Sequence, residues 1–131
     1  VQKVLEESHA AGILNVAYIM FGFPGETEET FLDTITFLKN NEENIDLIST
    51  TLFGLQKGSK MHAKPQLFKI KRIDEEKRTV LDEKITYITA EGLQKDEVQK
   101  LRNKYRKTIN NIDKIPRSYS AYKEQILGFC E

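Results

Sequence analysis

The chain has 131 residues, among which 20 basic and 20 acidic side chains leave a formal net charge of zero. The charge balance excludes recognition of a partner through a strong overall field, and the length excludes a complete eight-stranded β/α barrel, which needs ~250 residues. A single cysteine, Cys130, excludes a disulfide framework and fits a reducing compartment, so we expect a cytoplasmic protein. Since no apolar run approaches the ~20 residues of a membrane span, we expect no span either.

The first part of the chain predicts a βαβ unit. A helix over 1–11 ends at Gly12, and a strand follows over 13–21. A second helix over 27–40 carries an apolar stripe, and a second strand covers 45–54. Because both strands are apolar on their two faces, we expect them to be parallel and covered on both sides.

The second part is more polar and mixed. Ser59 is positioned to cap a short helical turn, and residues 68–73 form a poor strand at best. A better strand covers 84–89, and a long amphipathic helix covers 94–112. A final helix begins at Ser118. The tail is therefore predicted to be mostly helical, with one or two strands.

The turn Gly22–Thr27 joins the first strand to the second helix. Gly22 and Gly25 permit backbone conformations that a side chain would block, and Pro24 fixes one φ angle between them. Thr27 is a good N-cap for the helix that follows. The turn lacks the lysine and the spacing of a P-loop, which excludes a P-loop NTPase.

The sequence of this turn, Gly-Phe-Pro-Gly-Glu-Thr, resembles the strand-turn in the later half of the barrel of radical S-adenosylmethionine enzymes. The likeness extends upstream to residues 8–13 and downstream through 31–38 to 58–61. It implies an α/β chain that is the C-terminal part of a partial TIM-type β/α barrel. Residues 1–56 would be its last β/α units, and residues 57–131 a C-terminal extension with one or two strands and two helices.

The resemblance also implies part of an adenosyl pocket. In the family, backbone groups of the first strand and apolar groups of the next contact the adenine, while the protein keeps the adenosyl group still and dry. The residues that match these positions are Ile19, Met20, Phe21, Gly22, Leu52, Phe53 and Gly54. Glu26 matches a carboxylate that holds the turn, and we assign it no chemistry. No residue of the chain is predicted to be catalytic or to bind a metal.

The family binds a [4Fe-4S] cluster through three closely spaced cysteines, which a chain with only Cys130 cannot supply. We therefore expect the cluster ligands in an upstream part of the same polypeptide, before Val1, and we expect this piece alone to be inactive. Residues 68–73 and 91–93 resemble family members that have a cobalamin-binding domain, which leaves cobalamin open as a further cofactor. The substrate and the reaction type have no signal in the sequence.

Two alternatives stay open. The chain could be a non-catalytic interaction module, or part of an RNA-modifying radical S-adenosylmethionine enzyme that uses the basic helix over 95–107. For that helix we favour a solvated face over nucleic-acid binding, because acidic residues at its start balance part of its charge. As a fragment, the chain would leave the edges of strands 13–21 and 45–54 unpaired, which predicts a homodimer formed through those edges.

Overall fold

The structure, a computed structural model, describes residues 1–75 and 85–114. These residues form the helices α1 (Gln2–Ala10), α2 (Glu28–Asn40), α3 (Lys60–Ala63) and α4 (Lys95–Ile112), and the strands β1 (Val16–Phe21), β2 (Leu47–Leu52), β3 (Ile70–Glu75) and β4 (Ile85–Thr89). Short 3₁₀ segments cover Glu42–Asn44 and Pro65–Phe68. The predicted final helix from Ser118 and the single cysteine lie outside the described residues.

The prediction of a partial TIM-type barrel is wrong. The described strands form two separate sheets of two strands each, β1 with β2 and β3 with β4. A barrel wall needs parallel strands that continue from one neighbour to the next, whereas β3 and β4 pair with each other in an antiparallel hairpin. The fold is a small mixed α/β arrangement. The two strands of the hairpin lie close to the one or two strands that were predicted within the tail.

The parallel pairing of β1 and β2 is confirmed. The carbonyl of Asn15, just before β1, accepts hydrogen bonds from the N–H groups of Asp46 and Leu47, just before and at the start of β2. At the other end, the carbonyl of Phe21 accepts from the N–H of Phe53 at 2.7 Å. Because both strands advance together from one pair to the next, they run in the same direction.

The expectation that both faces of these strands are covered is wrong for the described residues. The stripe of α2 at Phe31, Ile35 and Leu38 is buried as predicted, and the Phe31 ring packs on that of Phe21 with centroids 4.6 Å apart. In contrast, 53% of the Met20 side chain is exposed. The next residue, Phe21, points to the opposite face of the strand and has no exposed surface. One face of β1 is therefore buried at this point, and the other is exposed.

The local signals for helix ends are confirmed. Thr27 accepts the Thr30 N–H with its hydroxyl at 3.2 Å, and Ser59 accepts the His62 N–H in the same way. Gly12, with φ of +77°, follows the last turn of α1 and donates to the carbonyl of His9. Among the described residues, no helix combines the length and the apolarity needed to cross a membrane.

The described chain divides into two compact units, the first with residues 1–19, 32–50 and 103–114, and the second with 20–31, 51–75 and 85–102. In the first unit, Asp46 accepts hydrogen bonds from the Asn15 N–H and from the Lys114 ammonium. In the second, Phe53, Leu55 and Ile70 form a buried apolar cluster. These units describe packing, and the sequence boundary after residue 56 stays a prediction.

Candidate functional site

Most of the predicted adenosyl-pocket residues lie in the second unit, where β1 and β2 end. The hydrogen bond from the Phe53 N–H to the Phe21 carbonyl joins the ends of the two strands at this point. Met20 and Gly22 flank Phe21, and Leu52 and Gly54 flank Phe53, so six of the seven predicted residues belong to this unit. The seventh, Ile19, belongs to the first unit and is half-buried.

The turn after β1 is held by Glu26. Its carboxylate accepts a hydrogen bond from the Gly22 N–H at 2.5 Å, and its own N–H donates to the carbonyl of Phe23 at 2.9 Å. Gly22 and Gly25 have φ angles of +81° and +95°, which residues with a side chain rarely adopt. The expectation that Glu26 fixes the turn is confirmed.

Burial determines the direction in which the pKa of Glu26 shifts. Removal from water raises the pKa of this carboxyl group, and the hydrogen bond from Gly22 lowers it by less. The carboxylate also occupies the Gly22 N–H, so this donor is already satisfied within the chain. The Gly22 N–H is therefore not available to a ligand at this point.

The turn at Gly92, between β4 and α4, packs on the turn after β1, and the backbones of the two turns are in direct contact. Gly92, with φ of +79°, lies so close to Glu26 that a Cβ atom would collide with the Glu26 carbonyl oxygen. The same carbonyl accepts a hydrogen bond from the Leu93 N–H at 2.7 Å. Nearby, Lys69 lies against Gly25 and forms an ion pair with Glu91 at 2.8 Å. The shape of the site therefore depends on two glycine turns that contact each other directly.

Three aromatic rings pack one after another beside the ends of the strands. Phe53 packs edge-to-face on Phe23, with centroids 5.4 Å apart, and on Tyr87, with centroids 5.5 Å apart. Phe53 is buried, whereas 49% of Phe23 is exposed. The rings therefore offer one flat apolar surface to solvent, at Phe23, on a buried aromatic support.

The backbone of Met20 lies at an open edge of the sheet. Along a strand, the N–H and C=O groups of successive residues point alternately to one edge of the strand and to the other. The carbonyls of Asn15 and Phe21 both point to β2. The N–H and C=O of Met20 therefore point to the opposite edge of β1. No other described strand pairs with that edge.

Other candidate residues lie elsewhere. His62, in α3, forms a hydrogen bond with Glu75 at 2.6 Å, and Lys57 pairs with the same carboxylate at 3.3 Å. The bond from His62, followed by that from Lys57, lowers the pKa of Glu75. This arrangement fastens α3 to β3. Among the described residues, no group of three or more histidine, cysteine or acidic side chains could hold a metal ion.

The sequence interpretation omitted two residues of this site. Phe23 had a local signal, since it is an aromatic residue between Gly22 and Pro24 in an otherwise small-residue turn. Tyr87 had none, because its partners Gly22 and Phe53 are 65 and 34 positions away in the sequence. Only the folded chain brings the three together.

Comparison with known proteins assigns no family to this chain. No family model, no curated protein and no solved structure matches it. A functional assignment therefore rests on the residues and geometry of the site and on the resemblance of its turn.

Proposed function

We propose that this chain is the C-terminal part of a radical S-adenosylmethionine enzyme, in which the ends of β1 and β2 hold the adenosyl group of the cofactor. The observation that carries the proposal is the junction of Phe21 and Phe53, which brings six of the seven residues chosen from the resemblance into one unit. These residues come from segments about 30 positions apart in the chain. Their meeting supports a shared role.

The exposed groups at the junction suit an adenine base. Adenine has flat apolar faces and a polar edge with both a donor and an acceptor. The exposed ring of Phe23 and the exposed side chain of Met20 offer apolar surface to the faces. The backbone N–H and C=O of Met20 offer a donor and an acceptor to the edge. The nearest backbone donor is filled by the acidic Glu26, which makes this point of the site unfavourable for a phosphate.

This chain and an upstream part of the polypeptide would have different tasks in such an enzyme. When bound and reduced by an iron-sulfur cluster, S-adenosylmethionine supplies a reactive adenosyl radical. The residues of this chain would position the base and exclude water from it. The cluster cysteines would come from an upstream part of the polypeptide, and a cobalamin domain there is compatible with the proposal. A cytoplasmic location fits the reduced state that such a cluster needs.

Nuclear magnetic resonance of the ¹⁵N-labelled chain tests the binding half of the proposal. Titration with S-adenosylhomocysteine, which keeps the adenosyl group but cannot be cleaved to a radical, should shift the amide signals of Met20, Gly22, Phe53 and Gly54. Adenosine and inosine, which differ at the 6-amino group of the base, serve as the matched ligand pair, and inosine should bind more weakly than adenosine. Absence of shifts at these four amides at millimolar ligand would contradict the proposal.

A pair of variants makes this test specific. Phe23→Ala should weaken binding about tenfold, since stacking of a base on an aromatic side chain contributes about 1–3 kcal/mol. Leu67→Ala removes an even more exposed apolar side chain of the same unit and should leave binding unchanged. An equal loss in both variants would show that apolar surface in general, and not the Phe23 ring, attracts the ligand.

Protein–protein interaction is a second candidate function. In the first unit, α1 buries none of its residues, and Val4, Ile13 and Leu14 are exposed. Together with the open edge of β1, this favours the homodimer predicted from the sequence. Sedimentation equilibrium tests it: we expect a concentration-dependent dimer that Val4→Lys weakens, and a monomer at high concentration would exclude it.

A further inference from the structure

The hydroxyl group of Tyr87 lies between the last carbonyls of the two strand ends. Its oxygen is 3.5 Å from the carbonyl oxygen of Gly22 and 3.4 Å from that of Phe53. A phenol has a single hydrogen, so it donates to these two acceptors in a shared, three-centre arrangement. Tyr87 belongs to β4, in the second sheet, and therefore reaches both ends from outside their own sheet.

The surroundings of Tyr87 favour this bridge. The ring is half-buried and packs edge-to-face on Phe53, which fixes the direction of the hydroxyl group. Burial raises the pKa of the phenol above its usual value of 10.0, so the group keeps its proton in neutral solution. Both oxygen–oxygen distances are at the long end for an O–H···O hydrogen bond, so each of the two contacts is weak by itself.

The bridge holds atoms that no strand pairing holds. The last hydrogen bond between the strand ends joins Phe53 N–H to Phe21, and past it the chain turns away at Gly22 and at Gly54. The carbonyls of Gly22 and Phe53 lie at this point of separation. Tyr87 is therefore placed where its hydroxyl group can influence their spacing.

We propose that Tyr87 is a positioning residue of the adenosyl site, which sets the distance between the Gly22 and Phe53 ends through its hydroxyl group. The inference rests on the proposed function, since it assigns a purpose to the geometry that Tyr87 maintains. Tyr87 acts through Gly22 and Phe53 and need not touch the ligand. Its removal loosens the site while the apolar packing of the ring remains.

The test compares Tyr87→Phe with Tyr105→Phe, which removes a tyrosine hydroxyl from α4 in the first unit. Both variants keep an aromatic ring, so both should give the amide spectrum of a folded chain. In Tyr87→Phe, the ¹³C signals of the Gly22 and Phe53 carbonyls should move, since they lose a donor, while that of Phe21 should stay. Binding of S-adenosylhomocysteine should weaken about three- to tenfold, the value of one hydrogen bond. Tyr105→Phe should change neither.

The outcomes separate the two proposals. Unchanged binding in Tyr87→Phe, with a wild-type chain that binds S-adenosylhomocysteine, overturns the positioning role and leaves the proposed function in place. A wild-type chain that does not bind overturns both. Carbonyl signals that do not move in Tyr87→Phe show that the bridge is absent in solution, and this also overturns the positioning role.

Discussion

Asp46 and Glu26 each accept a hydrogen bond from a backbone N–H at one end of β1, from Asn15 before the strand and from Gly22 after it. Their pKa values nevertheless shift in opposite directions. Burial raises the pKa of Asp46, but the Asn15 bond and the Lys114 ammonium together outweigh it, so the net shift is downward. Burial raises the pKa of Glu26, and the Gly22 bond alone does not reverse this.

The difference shows how the two regions are stabilised. The Asp46 region, in the first unit, is a charged network that also includes the Glu43 carbonyl bonded to Lys114. The Glu26 region, in the second unit, relies on glycine turns in backbone contact and on stacked aromatic rings. A surface of this second kind suits an uncharged base, because a base can pack on it without removing a charged group from water. Four predictions test this contrast, from the largest expected effect to the smallest.

The contact between the two turns should dominate the stability of the second unit. Gly92→Ala places a Cβ against the Glu26 carbonyl and forces a side chain into a positive φ, so unfolding should become easier by about 3 kcal/mol or more. Gly58→Ala is the matched control, since Gly58 has a similar φ of +77° with no atom within 4 Å of the added Cβ. It should cost only about 1–2 kcal/mol. Urea unfolding followed by circular dichroism measures both, and equal losses would contradict the account of the contact.

The charged network of the first unit should come next. Asp46→Ala leaves the Asn15 N–H and the Lys114 ammonium without their acceptor, which should destabilise the chain by about 1–3 kcal/mol. Asp33→Ala, at an exposed position of α2, should change stability by less than about 0.5 kcal/mol. The same urea experiment compares them. A loss for Asp46→Ala no larger than for Asp33→Ala would mean that the network is unimportant in solution.

The helix that leaves the site depends on its cap. Thr27→Ala removes the acceptor of the Thr30 N–H and should cost about 1 kcal/mol. Thr36→Ala, at an exposed interior position of the same helix, should be neutral or slightly stabilising because alanine favours the helix. Thermal unfolding of the two variants gives the comparison. A Thr27→Ala variant as stable as Thr36→Ala would exclude the capping role.

The smallest effect is the pH dependence of the two carboxylates. The folded chain holds the proton of Glu26 more strongly than the unfolded chain does, so its contribution to stability falls as pH rises from 4.5 through its raised pKa. The contribution of Asp46 is full above 3.8 and is lost as pH falls through its lowered pKa. Titration of the side-chain carboxyl carbons by nuclear magnetic resonance should place the Glu26 midpoint above 4.5 and the Asp46 midpoint below 3.8. Midpoints shifted in the same direction would remove the contrast.

Local signals in the sequence predicted much of the fold. The apolar spacing of α2, the caps Thr27 and Ser59 and the helix stop at Gly12 are all confirmed, because each depends on neighbours within a few positions. The parallel order of β1 and β2 followed from a strand–helix–strand pattern. The six residues that meet at the strand ends were chosen from the resemblance of the turn, and their binding role stays a prediction.

The remaining features depend on distant contacts. The barrel was wrong because a resemblance in one turn does not determine how many strands join a sheet. The hairpin was undervalued because β3 begins after Lys69, which has a left-handed φ of 58° that its own sequence does not favour, and includes a bulge between Ile70 and Arg72. The roles of Tyr87 and Gly92 come from contacts with residues more than 30 positions earlier in the chain.

The coding sequence upstream of Val1 tests the central claim most directly. The account predicts an extension of the same reading frame that contains three closely spaced cysteines, in the pattern Cys-x₃-Cys-x₂-Cys, to hold the iron-sulfur cluster that this chain cannot hold. A start codon close to Val1, with no such cysteines before it, would contradict the account. The exposed rings and open strand edge would then be better explained by protein–protein interaction.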